Sequence, residues 1–402
     1  MVHGDACIVE YYEPAAVRGE GNLHLVQVAH AYRMVAQLKS DACEVDVNCS
    51  EGAAWTDQRD AVVRIRVAIP SGFGYCTGTL VNNTANDCKG YILTAFHCTE
   101  DSQTANFPNY QFRFRYQYPG CASGSATGAN MTGCSFRAGS HDQGGMYGSD
   151  YSLLEITAAV PAGYEPYWAG WDVSEEAPVG AVCIHHPDGD VKKISTVSGT
   201  PTSSTWSGFT NGSHWRLTWG TTSNGHGVTE PGSSGSPLFN SAKRVVGTLT
   251  GGSSCCTVNG CGNGTAPNYP DYYGKMDYHW WENNPNPTIE ELHWWLSPVG
   301  FPVYQNGSRN PCAPIGMQEL ASITPEVFPN PATDRVTLRL PEGLLGADRI
   351  DVIDPTGRTV QAVRITGGTV DMDTHAWGEG SYLLNVYVKG ARRSSTRITV
   401  VH

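Results

Sequence analysis

Gly232-Ser233-Ser234-Gly235-Ser236-Pro237 is the stretch on which the reading of this chain turns. A serine hydroxyl is a poor nucleophile at neutral pH. A chain that uses one must set it on a tight turn, with backbone N–H groups aimed at the negative charge that develops during attack. Glycines at 232 and 235 permit such a turn. Pro237 leads into Leu238-Phe239, and after a polar turn Val245-Val246-Gly247-Thr248-Leu249 follows, so a pair of strands is expected to bracket the loop. An ordinary turn between strands has the same composition, so the choice depends on partners elsewhere.

Two partners lie upstream. Tyr91-Ile92-Leu93-Thr94-Ala95-Phe96-His97-Cys98 is an apolar strand that delivers a histidine beside a cysteine, and Gly148-Ser149-Asp150-Tyr151-Ser152-Leu153-Leu154 sets an aspartate at the head of another apolar strand. The chain order is therefore His, Asp, Ser. Of the unrelated arrangements that support this triad, that order belongs to the chymotrypsin-like double β-barrel and not to subtilisins or α/β-hydrolases. The expected roles follow: His97 takes the proton from Ser234, Asp150 holds the imidazole tautomer, and the amides of Gly232 and Ser234 bind the oxyanion.

Seven blocks in order then carry a closer resemblance: Cys43 to Cys49, Cys76 to Asp87, Thr94 to Cys98, Trp168 to Trp171, Ile184 to Pro187, Thr229 to Pro237 and Asp271-Tyr272-Tyr273-Gly274-Lys275. Together they resemble the bacterial lysyl endopeptidase family over residues 40 to 308. The resemblance implies a secreted, disulfide-bonded protease with Cys76 paired to Cys98, Cys43 to Cys255 and Cys49 to Cys121. Cys7, Cys88, Cys134, Cys183, Cys256, Cys261 and Cys312 are left without an assignment. It also implies that Trp206 flanks the substrate pocket and that Asp271 is the pocket acid. Where the family's best-known members carry a histidine on the strand beside the pocket, this chain has Thr250, which puts in doubt any rate enhancement from an imidazole stacked on Trp206.

Composition fits that frame. The 402 residues suit two or three domains, 46 glycines and 24 prolines favour short strands and turns, and 38 acidic against 26 basic residues give a net charge of -12 that argues against a nucleic-acid partner. Thirteen cysteines point to an oxidising, extracellular setting. Cys255-Cys256 and Cys261 lack zinc-site spacing, so no metal or other cofactor is expected. No run of about 18 apolar residues suggests a membrane-spanning segment. Met1 opens no signal peptide, and Cys7 to Pro14 reads as strand-like, so the chain is expected to lack its original N-terminus.

Residues 1–39 are similar to the end of a propeptide, the alternative being an N-terminal arm packed on the protease, with a strand expected at Leu23 to Val28. The protease domain is expected over 40–308, closed by a short helix at Leu292 to Leu296, with Trp168, Trp171, Trp215 and Trp219 in the core. Adjacent strand residues face opposite ways, so His185-His186 reads as structural and not as a metal site. A linker is expected at 309–322. Alternating runs such as Val336 to Leu340, Ile350 to Ile353 and Tyr382 to Val388 then predict a small β-sandwich at 323–402. Phe328 to Asp334, Gly380-Ser381-Tyr382 and Arg392-Arg393 before a terminal strand resemble the sorting domain of type IX secretion substrates, implying recognition by that machinery and a secreted or outer-membrane-surface location. Trp377 is the lone tryptophan there, which does not favour a carbohydrate-binding sandwich.

Specificity cannot come from the position six residues before Ser234, where trypsin-like enzymes place their acid, because Val228 stands there. Asp271 would supply the charge instead, with Glu230 either assisting or merely solvated. The expected activity is cleavage of peptide bonds after lysine by a monomer. Broader specificity that includes arginine, and an inactive surface-binding protein on a protease scaffold, are the alternatives. Because Ser233 replaces the aspartate that pairs with a new N-terminus in trypsin-type zymogens, that terminus is expected to be dispensable, with self-cleavage after Lys39.

Overall fold

The computed structural model describes residues 8–22, 39–207, 211–256, 267–281, 291–300, 302–312, 325–341, 344, 346–354, 356, 358–388 and 391–402. The strand expected at Leu23 to Val28, the linker residues 313–322, Cys7 and Cys261 lie outside them. The chain divides into two units, 1–312 and 313–402. Arg309 to Cys312, expected to open the linker, belong to the first: Arg309 bonds to Asp57 and Asp60, and Cys312 forms a disulfide with Cys88.

In the first unit, strands β1 (Val62–Ile69), β2 (Gly72–Leu80), β3 (Tyr91–Thr94), β4 (Gln111–Gln117), β5 (Thr127–Thr132), β6 (Cys134–Gly139) and β7 (Ser152–Ile156) form one antiparallel sheet in the order β5-β4-β1-β2-β3-β7-β6. A second sheet runs β10-β9-β13-β14-β15-β12-β11. Its strands are β9 (Val182–His185), β10 (Lys193–Thr196), β11 (Thr202–Ser204), β12 (His214–Leu217), β13 (Pro237–Phe239), β14 (Arg244–Gly252) and β15 (Asp271–Lys275), with β8 (Gly170–Asp172) and β16 (Tyr304–Gln305) attached through β14. Helices are short: α1 (Thr56–Ala61), α2 (Met276–Trp281) and α3 (His293–Leu296), the last where the closing helix was expected.

Period-2 alternation serves two cores at once. Ile92 and Leu154 fill the first sheet's interior with Val63, Ile65, Phe112 and Phe114. Their neighbours Tyr91, Leu93 and Leu153 turn the other way and meet Val182, Ile184, Phe239 and Val245 of the second sheet. Cys183, Leu238, Val246, Leu249 and Tyr273 fill the second sheet's own interior with Trp215 and Trp219. The first unit is thus two curled sheets pressed together, the chymotrypsin-like double barrel. His97 follows β3, Asp150 precedes β7 and Ser234 precedes β13, so all three stand at strand ends near the seam.

Two expectations fail. Ile8 to Pro14 form no strand; no sheet edge accepts them, and Ile8 is 97% exposed. Cys43 pairs with Cys256, not Cys255. Cys256 faces the Cys43 segment, whereas Cys255 is buried and held in another disulfide. Cys49–Cys121 and Cys76–Cys98 form as expected, and Cys88–Cys312 adds a fourth bridge. Cys134 and Cys183 are buried free thiols.

The second unit is a small sandwich. β17 (Glu326–Phe328), β18 (Arg335–Arg339) and β21 (Thr369–Asp373) form one sheet; β19 (Arg349–Ile353), β20 (Thr359–Arg364), β22 (Gly380–Val388) and β23 (Ala391–Val400) form the other. Val336, Leu338, Ile350, Val352, Leu384, Val386 and Ile398 meet between them. Trp377 is buried there and donates to Gln361, so it offers no exposed aromatic platform.

Candidate active site

The Ser234 turn is shaped by its own backbone. Gly232 and Gly235 sit at φ +92° and +76°, where a Cβ is strained. The amides of Ser233, Gly235 and Ser236 donate to Glu230, Leu249 and Ser233 carbonyls. Those of Gly232 and Ser234 donate to no acceptor among the described residues, which leaves this pair of N–H groups for an incoming oxygen. The turn is also fastened across the seam: Thr77 N–H donates to the Ser234 carbonyl at 2.8 Å and Thr77 Oγ1 to the Gly232 carbonyl at 2.9 Å. A Cβ on Gly235 would stand 2.1 Å from Thr94 Oγ1 and 2.6 Å from Ala95 N. No side chain fits between the serine turn and the strand that carries the histidine.

Asp150 Oδ2 lies 2.7 Å from His97 Nδ1, and Oδ1 accepts the His97 backbone N–H at 2.9 Å. A buried carboxylate on Nδ1 fixes the proton there and leaves Nε2 as the basic nitrogen. Burial alone would lower the His97 pKa, but the Asp150 charge and hydrogen bond outweigh it and raise it above the ordinary value. Burial would likewise raise Asp150, yet the imidazole and both hydrogen bonds hold it below the usual carboxylate range. Asp150 has a left-handed backbone, φ +59°, and its N–H donates to Asp142 Oδ2, whose other oxygen takes Gly145 N–H. Asp142 was not singled out in the sequence; nothing distinguishes it there from a loop acid.

Asp271 opens β15 with no exposed surface. Its Oδ2 accepts Trp219 Nε1 at 2.6 Å, Thr229 Oγ1 at 2.7 Å and Ser254 Oγ at 2.6 Å, while Oδ1 accepts Ser254 N–H at 3.1 Å. Burial raises its pKa, and these hydrogen bonds oppose the rise. Trp219 thus holds this carboxylate as well as filling the core. Gly252 on the neighbouring strand packs against Oδ1; a Cβ there would lie 1.8 Å from it. Gly145 joins the two regions, since its Cβ position is 3.1 Å from Asp150 Cβ and 3.2 Å from both Thr250 Cγ2 and Trp206 Cδ1. The structure therefore gathers Asp150, Thr250 and Trp206, with Gly251 against the Trp206 ring.

Thr250 Oγ1 lies 3.0 Å from Nε2 of His214, a fully buried residue of β12 that sequence reasoning missed. Its ring centre is 6.4 Å from that of Trp206. A histidine thus approaches Trp206 from β12, two strands from β14, and not from position 250. Burial lowers its pKa to about 4, so it is neutral. Glu230 turns away from Asp271: it accepts Asp41 N–H at 3.1 Å, and its pKa is pushed up to about 7, by burial first and then by Asp41, Asp188 and Asp190. His185 and His186 are buried and bonded to Ser233 and to the Asp190 carbonyl.

Residues 326–401 match the secretion system C-terminal sorting domain, which places the chain outside the cell or at its surface. A lysyl endopeptidase of Pseudomonas aeruginosa is 30% identical over 275 residues, 64% of this chain and 57% of that protein. The chain thus spans little more than half of that relative's length. Among solved structures, the protease Anisep from Arthrobacter nicotinovorans is 17% identical, covering 54% of this chain and 90% of its own at a TM-score of 0.38. A scabies mite inactivated protease paralogue is 14% identical, covering 56% and 92% at 0.41. The lysyl endopeptidase C-terminal domain matches residues 38–274, more than half of the sequence and the whole of the stretch holding His97, Asp150, Ser234 and Asp271; the chain belongs to the lysyl endopeptidase family.

Proposed function

We propose that the protein is a secreted serine endopeptidase that cleaves peptide bonds on the carboxyl side of lysine. The observation that carries this reading is the His97–Asp150 pair, locked at 2.7 Å across the seam from a serine turn with two unspent amides. In the reaction His97 Nε2 takes the Ser234 proton as Oγ attacks the scissile carbonyl, and the Gly232 and Ser234 N–H groups receive the oxyanion. His97 then returns the proton to the leaving amine, and water hydrolyses the acyl-enzyme by the same route. Asp150 keeps the proton on Nδ1 throughout and stabilises the transient imidazolium.

Lysine selection is assigned to Asp271. Each carboxylate oxygen has two lone-pair directions. Oδ2 already meets three donors and Oδ1 only one, so Oδ1, beside Gly252, is the oxygen with capacity left for an ammonium. A buried carboxylate favours a cation and penalises a neutral side chain. Trp206 forms the rim, and the C-terminal domain addresses the chain to the secretion machinery. Residues 1–39 are removed from the working enzyme.

The test is a fluorophosphonate probe followed by a peptide-library digest. We expect Ser234 to be labelled, Ser234→Ala to retain at most about a thousandfold rate over water, and cuts to follow lysine. An unlabelled Ser234 in folded protein would refute the nucleophile, and cuts indifferent to charge would refute the pocket.

A further inference from the structure

Ser40 is 6% exposed although Lys39 before it is exposed, and its contacts explain the difference. Its N–H and its hydroxyl both donate to Asp190 Oδ2, at 3.0 and 2.8 Å. The next amide, of Asp41, donates to both oxygens of Glu230 at 3.1 and 3.3 Å. The segment beyond is pinned by the Cys43–Cys256 disulfide and by Cys43, Val45 and Val47 hydrogen-bonding to Gly227, Ile194 and Lys192.

Both carboxylates stand on the backbone that encloses Gly232. Asp190 closes a turn on Pro187, within which Asp188 N–H donates to the Pro231 carbonyl at 2.6 Å. A Cβ on Gly232 would meet Gly189 N and His186 O at 2.9 Å, so the two loops touch with no slack. Glu230 begins the serine turn, its carbonyl taking Ser233 N–H and its N–H donating to Ser233 Oγ.

This corner gathers several carboxyl groups. Asp41, Glu44, Asp188, Asp190 and Glu230 influence one another. Lys193 Nζ, 4.0 Å from Asp190, is also shared with Asp46 at 3.3 Å. Glu44 is wholly buried, with His185 Nε2 3.5 Å from its Oε2, and burial raises its pKa well above the usual carboxylate range.

We propose that Asp190 and Glu230 form a receptor for the chain's own N-terminus, and that a Ser40 ammonium seated on Asp190 holds the Gly232 turn in its anion-binding shape. This rests on the reading that Ser234 is the nucleophile and that residues 1–39 are removed. Hydrolysis adds water across the Lys39–Ser40 bond: hydroxide goes to the Lys39 carbonyl, which leaves as a carboxylate, and protons go to the Ser40 nitrogen, which becomes an ammonium. An amide donor to the Asp190 carboxylate thereby becomes a full positive charge facing it, so an ion pair replaces a charge–dipole contact. Ser233 removes only the carboxylate that trypsin-type zymogens use; here the preceding loop supplies it, so the new terminus is not dispensable.

Chains running from Ser40 to His402, released from a fusion partner by a protease that leaves no residue, are compared with chains carrying one extra alanine before Ser40. Each is also made with Asp190→Asn. In Ser234→Ala protein the α-amine is titrated by its rate of acylation. Its pKa is expected to rise above the free range of about 7.7 to 8.0, slowing acylation at pH 8 by about tenfold relative to the Asp190→Asn chain. In protein with Ser234 intact, fluorophosphonate labelling should be about 10- to 100-fold faster for the Ser40 start than for the alanine-extended chain, and Asp190→Asn should erase that gap. Equal acylation with and without Asp190, or equal labelling of the two starts, overturns the proposal. If no chain labels, Ser234 is not the nucleophile, and the amine titration alone decides whether the terminus docks.

Discussion

Replacing Asp271 by asparagine keeps the side chain's shape and removes its charge. Three donors converge on Oδ2, so the amide oxygen of the variant must take that position to satisfy them. The amide nitrogen then occupies the Oδ1 position, where it meets Ser254 N–H at 3.1 Å and turns donors towards the space beside Gly252. A lysine ammonium entering there finds a donor in place of a carboxylate. Leaving a buried charge without its partner costs about 2 to 5 kcal/mol, which is about a 30- to 5,000-fold loss in kcat/KM. A norleucine substrate fills the same pocket without charge and should change by less than about threefold. The donor facing donor at Ser254 should also lower stability by about 1 to 3 kcal/mol. The assay compares kcat/KM for matched lysyl, arginyl and norleucyl substrates, with near-UV circular dichroism to confirm folding. A folded variant whose lysine-to-norleucine ratio is unchanged would refute the assignment of Asp271.

Asp150→Asn removes the charge that outweighs burial and raises His97. Imidazolium cannot accept the serine proton, so the wild-type acid limb of kcat/KM should lie above pH 6.5; in the variant it should move down while kcat falls about 10⁴-fold, as a pH–rate profile will report. Gly235→Ala should cost about 1 to 3 kcal/mol from its left-handed backbone alone and should push the serine turn off Thr94, lowering both the thermal midpoint and kcat. Burial pushes the Cys134 and Cys183 thiols up to about 12, so mass mapping should find neither alkylated at pH 8 until the protein is unfolded.

The barrel was legible because alternation and triad order are local signals. Ile92 and Leu93 point to different cores simply because they are neighbours on β3. The pairing of Cys43 with Cys255, implied by the family resemblance, missed by one residue, since no local signal says which of two adjacent cysteines faces a distant segment. His97 and Asp150 were singled out from strand context, and the structure sets them 2.7 Å apart. The supporting contacts were not legible: Asp142 acts on the Asp150 backbone, His214 on Thr250 and Trp219 on Asp271, and all three depend on tertiary register. The docking of Ser40 on Asp190 joins positions 150 residues apart, and no composition or period encodes it.

Cys312 is the last described residue before the chain leaves for the sorting domain, and its bridge to Cys88 closes a loop of 224 residues that contains His97, Asp150, Ser234 and Asp271. A pull on the C-terminal domain therefore reaches the protease at the β2–β3 connection and not through β16 or α3. The bridge acts as strain relief on a cable: the domain behind it can be gripped, threaded or cut away while tension bypasses the catalytic seam. Reduction of that one bridge should leave a resting enzyme intact and make it tear from its C-terminal end under load, a difference that single-molecule pulling with and without reductant would record.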